Sequence, residues 1–226
     1  MTRQEFIRFV YTRSLPLSIR QRIESALTSP LPSAFNSQKI LFIHIPKTGG
    51  KSIRKAIGIT RANHATYMDY KRLIGEDQLK DYFIFSLVRN PEERLISTWK
   101  YLLSGGNKSK EDGDLQKALT GSHKDINDFV INSLGTPLFK NNVFFKPQSS
   151  FLEDETGRIP NKITKIHLEN INEEQKLLFD KAGIKEIPHL NKSPQAYISL
   201  TERSKEIIHQ VYLKDFLNFG YNDNYN

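Results

Sequence analysis

Two short stretches concentrate the residue types that hold phosphate-like anions: HIPKTGGKS (44–52) and RNPEERLIS (89–97). In the first, Gly49 and Gly50 let the backbone approach a ligand closely, and the free N–H groups of a following helix point outward at its positive end. Lys47 supplies a charge-assisted donor, Ser52 a neutral one, and Lys51 flanks the glycines with a second positive charge. The end of the stretch fits the phosphate-loop pattern G-x-x-x-x-G-K-[ST]. The first glycine of that pattern falls on Ile45, however, and Pro46 stiffens the start of the turn. The expectation is an anion cradle for a 5′-phosphate or phosphosulfate. In the second stretch Arg89 lies in the turn and Ser97 about two helical turns on, so the two can converge on a separate phosphate. A nucleoside phosphorylated at both its 3′ and 5′ positions needs two such sites at adjacent strand ends; a triphosphate does not.

Each stretch stands directly behind a short apolar run. KILFIHI (39–45) and YFIFSLV (82–88) have the β-branched and aromatic content of buried parallel strands. Each runs into a polar turn and a helix, the first ending at Gly58 and the second covering 89–103. Two strand–turn–helix units in succession predict an α/β fold of P-loop-like, three-layer form, a central parallel sheet flanked by helices. Residues 63–81 read as helix broken near Gly75, 104–115 as a Gly-, Lys- and Asp-rich surface loop, and INDFVINSL as helix. NVFFKPQSSFL and KITKIHLENI read as further strands or strand plus loop. NEEQKLLFDKAG and TERSKEIIHQVYLKDFLNFGY read as helices on either side of the loop IPHLNKSP. Residues 1–37 read as short amphipathic helices followed by a Pro/Ser-rich linker, TSPLPSAFNS, appended to a domain over 38–226.

The chain has 226 residues, enough for one domain that buries about 70% of its unfolded surface without a staple. Its net charge of +8 favours polyanionic partners. With no cysteine, thiolate catalysis, Cys-ligated zinc and disulfides are excluded. No run of 18 apolar residues suggests a membrane span, and the first twenty residues lack the apolar core of a signal peptide. A cytoplasmic location is expected.

Beyond single residues, HIPKTGG-x-S and FSLVRNPEERLISTWKY are similar to the 5′-phosphosulfate loop and 3′-phosphate motif of carbohydrate sulfotransferases. The resemblance is to the group related to heparan sulfate 2-O- and 6-O-sulfotransferases and their bacterial relatives. HATYMDYKRLIGEDQLKDYF, KPQSSFL, IHLENI, IPHLNKS and VYLKDFLNFGY extend it over residues 39–221, and the resemblance implies a sulfotransferase domain over 38–226. It implies 3′-phosphoadenosine 5′-phosphosulfate as donor, no metal, and a carbohydrate or glycolipid acceptor. Pro46, Lys47, Thr48, Gly49, Gly50, Lys51 and Ser52 would hold the phosphosulfate, and Arg89 and Ser97 the 3′-phosphate. Lys192 and Ser193 would reach the nucleotide from the C-terminal loop. His64 would take the proton of the acceptor hydroxyl while Lys47 faces the leaving oxygen. Gln148 would line the acceptor site, and His189 would contact nucleotide or substrate. The sequence departs from the family pattern at Lys51, often Thr, and at Trp99 and Lys100, where an aromatic usually stands nearer Ser97.

An imidazole titrates close to neutrality, which suits His64 to general-base work. His44 reads as a packed strand residue, His123 as solvated in a polar loop, and His167 and His209 as strand and helix residues with no chemical partner nearby in sequence. Two other classes share features with this chain. A P-loop kinase or NTPase would use the opening cradle, but Ile45 and the lack of a Walker B-like aspartate oppose it. A nucleic-acid-binding protein would use the charge, yet no basic cluster interleaved with aromatics is present.

Overall fold

Both apolar runs form strands, β1 (Ile40–Phe42) and β2 (Phe83–Val88), and β3 (Ile163–His167) completes a parallel sheet of order β1-β2-β3 among the described residues. The computed structural model describes residues 33–59, 64–184, 187 and 198–221, apart from the side chains of Ser33 and Asn36. Most of the 1–37 appendage, and His189, Lys192 and Ser193, lie outside them. Phe42 pairs with Phe85, and Phe85 with Thr164. Every residue of β1 is buried, and all of β2 but Phe83, as a sheet covered on both faces requires.

Formal pairing of β1 ends at Phe42, sooner than the apolar run suggests. The chain nonetheless stays beside β2: Ile43 N–H donates to the Phe85 carbonyl at 3.0 Å. Ser86 Oγ, fully buried, donates to the Ile43 carbonyl at 2.7 Å. These bonds deliver His44 and Ile45 to the turn at the end of β1.

Among the described residues the α-helices are α1 (Ser33–Gln38), α2 (Gly50–Ala56), α3 (Tyr67–Ile74), α4 (Pro91–Leu103), α5 (Lys110–Ser122), α6 (Ile126–Asn132), α7 (Pro137–Lys140), α8 (Ser149–Leu152), α9 (Ile171–Ala182) and α10 (Glu202–Phe219). Their starts follow from local chemistry. Asn90 Oδ1 accepts from the Glu92 and Glu93 N–H groups, and Pro91 occupies the first helical position of α4. Thr66 and Asp69 form a capping box at α3. One buried cluster joins the sheet to α2, α3 and α8 through Phe42, Ile53, Tyr70, Phe85 and Phe151. A second, among α4, α6 and α10, centres on Trp99, Phe129, Ile208 and Tyr212.

Five expectations change. The stretch read as the 104–115 loop turns helical at Lys110, because Ser109 Oγ accepts from Asp112 N–H and Leu119 is fully buried. NVFFKPQSSFL contains no strand. Its Phe144 and Lys146 carbonyls take Arg94, and its Gln148 and Ser149 N–H groups take the Asp215 carboxylate. His123 is not simply solvated, since its Nε2 lies 2.7 Å from Ser133 Oγ and its ring meets Phe129 edge-on. The end of the linker is α1, held by Phe35, which is 2% exposed and packs against Tyr70. Helix α3 also starts only at Tyr67, leaving His64 in the extended segment before its cap.

Candidate active site

The turn from β1 into α2 combines two left-handed residues, Lys47 at φ 68° and Gly49 at φ 83°. For a lysine that conformation costs roughly 1–2 kcal/mol, so the surroundings must enforce it. Thr48, fully buried, donates from Oγ1 to the Ile45 carbonyl at 2.9 Å and so staples the turn with its side chain. A Cβ on Gly49 would fall 2.7 Å from Leu168 Cδ1, just past β3. A Cβ on Gly50 would fall 2.0 Å from the His44 ring. The two glycines therefore let this turn settle against the ends of the sheet.

Helix α4 closes on the turn from the other side. Arg94 is 2% exposed and donates from Nε to the Pro46 carbonyl at 3.0 Å. Its other nitrogens reach the Lys146 and Phe144 carbonyls, each at 3.1 Å. Seven residues on, the Tyr101 ring lies 4.1 Å from Lys47 Nζ and 6.0 Å from Lys51 Nζ, within cation–π range. Tyr101 OH donates to Asp112 Oδ2 at 2.9 Å, and that oxygen also takes the Asn107 N–H at 2.7 Å. Ser97, three residues after Arg94 and four before Tyr101, belongs to the helix face turned toward Lys47. It is half-buried.

Arg89 follows β2 and sits near enough to Lys47 to act on its charge. Burial is the first cause that pushes Lys47 down to about 8, with the charges of Lys51 and Arg89 adding to it. Three cations thus crowd one turn, an arrangement that an anion would relieve. The Arg89 head rests on Glu93 at 3.1 Å. Lys51 is exposed and Ser52 half-buried on the first turn of α2.

His64 comes to the same place from the segment before α3. Its Nδ1 lies 2.9 Å from the His44 carbonyl, and its ring centroid lies 4.6 Å from that of His44. A carbonyl only accepts, so Nδ1 carries the proton and Nε2 keeps the lone pair. Burial lowers the His64 pKa, the nearby charges of Arg54, Arg94 and Lys146 lower it further, and the bond to His44 works in the opposite direction. His64 is therefore held neutral in the tautomer a proton acceptor needs. His44, 6% exposed, is packed as expected and pushed down to about 2, mainly by burial.

The structure thus brings together Pro46 to Ser52, Arg89, Ser97 and His64. Gln148 is fully buried, with both ends of its amide on the Arg89 backbone instead of open to a ligand. Three contributors were not singled out from sequence: Arg94, Tyr101 and Lys146. The i, i+3, i+7 spacing of Arg94, Ser97 and Tyr101 was the signal available for the first two, because it puts them on one helix face. Among the described residues no group of three or more His, Asp or Glu could hold a metal ion, and no helix is long and apolar enough to cross a membrane.

Residues 34–222 match the model of the sulfotransferase family. No curated protein and no solved structure matches the chain.

Proposed function

The chain belongs to the sulfotransferase family, and we propose that it moves a sulfuryl group from 3′-phosphoadenosine 5′-phosphosulfate to a hydroxyl of a carbohydrate or glycolipid acceptor. The catalytic domain would span 38–226, with 1–37 an appendage, and the enzyme would work in the cytoplasm. The single observation that carries the reading is the pairing of a cation-crowded glycine turn with a neutral histidine held by the residue that leads into it.

The residues fit such a donor. The turn accepts close approach at Gly49 and Gly50, and the charges of Lys51 and Arg89 both act against that of Lys47, which an anion between them would relieve. Pro46 to Ser52 would hold the phosphosulfate end. Arg89 and Ser97 would hold the 3′-phosphate, and Lys192 and Ser193 would add contacts from the C-terminal loop. The bound donor supplies an activated sulfur–oxygen bond.

His64 Nε2 would accept the proton as the acceptor oxygen bonds to sulfur. The electron pair of the breaking bond goes to the bridging oxygen, where Lys47 would stabilise the growing charge. Positioning of this kind carries most of the catalysis when little covalent chemistry falls to the protein. The Lys47 ammonium has only to leave the Tyr101 face, so its stem and charge are already beside the turn.

The test begins with thermal melts. Adenosine 3′,5′-bisphosphate alone should stabilise the protein, by about 2.7 kcal/mol at a hundred times its Kd. Stabilisation only by ATP with magnesium, or only by an oligonucleotide, would overturn the proposal. Labelled-sulfate transfer to a panel of glycans then identifies the acceptor. His64→Ala should lower turnover by about 10²- to 10⁴-fold with nucleotide affinity kept.

A further inference from the structure

The segment 144–149 makes unusual use of its backbone. It forms no sheet bonds. The Phe144, Phe145 and Lys146 N–H groups turn back to Asn142, while the carbonyls of those three residues and the Gln148 and Ser149 N–H groups meet side chains from two helices. Phe144 and Lys146 give their carbonyls to Arg94 of α4, and Phe145 gives its carbonyl to Tyr212 OH of α10 at 2.7 Å. The Gln148 N–H donates to Asp215 Oδ2 at 2.7 Å, and Ser149 donates to Oδ1 from both N–H and Oγ, at 2.8 and 2.7 Å. Asp215 itself is fully buried on α10.

From that anchored backbone the Gln148 side chain reaches across to the end of β2. Its Oε1 accepts the Arg89 N–H at 3.0 Å and its Nε2 donates to the Arg89 carbonyl at 2.7 Å. The pair imitates a strand neighbour at the residue where the sheet stops. Arg94 meanwhile ties the same segment to Pro46, in the glycine turn. One short, partly buried segment therefore touches both ends of the candidate donor site.

We propose that segment 144–149, fixed to α10 by Asp215, sets the distance between Arg89 and the glycine turn, which makes Gln148 and Asp215 positioning residues for the selection of 3′-phosphorylated nucleotides. The inference rests on the reading of Arg89 as the 3′-phosphate residue. Neither side chain touches the ligand. Gln148 acts through the Arg89 backbone, and Asp215 acts through Gln148 and Ser149. A buried carboxylate is a costly way to anchor a helix, and here its two oxygens meet three donors at one point of the chain.

The experiment measures affinity for adenosine 3′,5′-bisphosphate and for AMP, which lacks the 3′-phosphate, by calorimetry on the full chain. Wild type should prefer the bisphosphate, and Arg89→Ala should remove that preference. Gln148→Ala should cut the preference roughly tenfold with AMP affinity within about twofold, because hydrogen bonds to a main chain of this kind are worth about that much. Gln148→Met fills the same space with neither bond and should give the same ratio as Gln148→Ala, which separates the two bonds from packing. Asp215→Asn, which turns an N–H₂ toward the Gln148 N–H, should shift the ratio in the same direction. Equal weakening of both nucleotides in the folded variants, or an unchanged ratio, overturns the inference while Arg89→Ala leaves the underlying reading intact. A wild type without preference for the bisphosphate overturns that reading, and this inference falls with it.

Discussion

Donor affinity should fall steeply above pH 8, and the cause is a single lysine. Lys47 is pushed down to about 8 by burial and by the charges of Lys51 and Arg89. The sign follows directly. Below pH 8 the ammonium is present and can meet a phosphate; above it the amine is neutral and the contact must first recover a proton. A bound dianion favours the charged form, so the affected species is the free protein. The measured Kd then scales as one plus a factor of ten for each pH step above 8. It should be roughly tenfold weaker at pH 9 than at pH 7.

Adenosine 3′,5′-bisphosphate suits this measurement because its phosphates pass their second ionisation near pH 6 and keep their charge above 7. Calorimetric titrations at pH 7, 8 and 9 and fixed ionic strength supply the curve. Lys47→Arg supplies the control, since a guanidinium stays charged throughout this range. Its affinity should be flat with pH even if weaker overall. A flat wild-type profile, or the same loss in Lys47→Arg, would refute the reasoning.

Further outcomes follow from the same geometry. Because His64 is held below its ordinary value, the acidic limb of the kcat profile should have its midpoint below pH 6.5, and Lys146→Met should move that midpoint upward by removing a repelling charge. Gly50→Ala should cost about 3 kcal/mol, a drop of roughly 6–12 °C in Tm, because His44 is caught between Phe42 and His64 and cannot yield to a methyl group. An unchanged melt would mean that the ring moves freely. Arg94→Met leaves three carbonyls without their donor and should destabilise by at least ~3 kcal/mol in urea titration; a loss under 1 kcal/mol would show that water replaces the guanidinium.

How much of this was legible in the sequence depended on where each segment sends its backbone bonds. β1, β2 and the turns behind them were legible because local signals and tertiary structure agree: apolar runs, then glycine or Asn-Pro, then helix. Segment 143–152 was not. Val143, Phe144 and Phe145 have strand composition, but Pro147 lacks an N–H, the Phe144, Phe145 and Lys146 N–H groups turn back to Asn142, and the groups that would pair with a neighbouring strand find Arg94, Tyr212 and Asp215, all more than forty residues away in the chain. Helix α5 hid among glycines and charges, its cap at Ser109 and its buried Leu119 being the available signs. The residues expected to touch the donor stood in compact motifs, whereas Gln148, which holds the Arg89 backbone, and Asp215, which holds Gln148, lie far off in sequence. Asp215 is the clearest case. Within α10 it looks like one more charge on an amphipathic helix, and only the fold turns it inward against Ser149. A carboxylate so placed cannot act on a ligand directly, so its influence on function must pass through the backbone it holds.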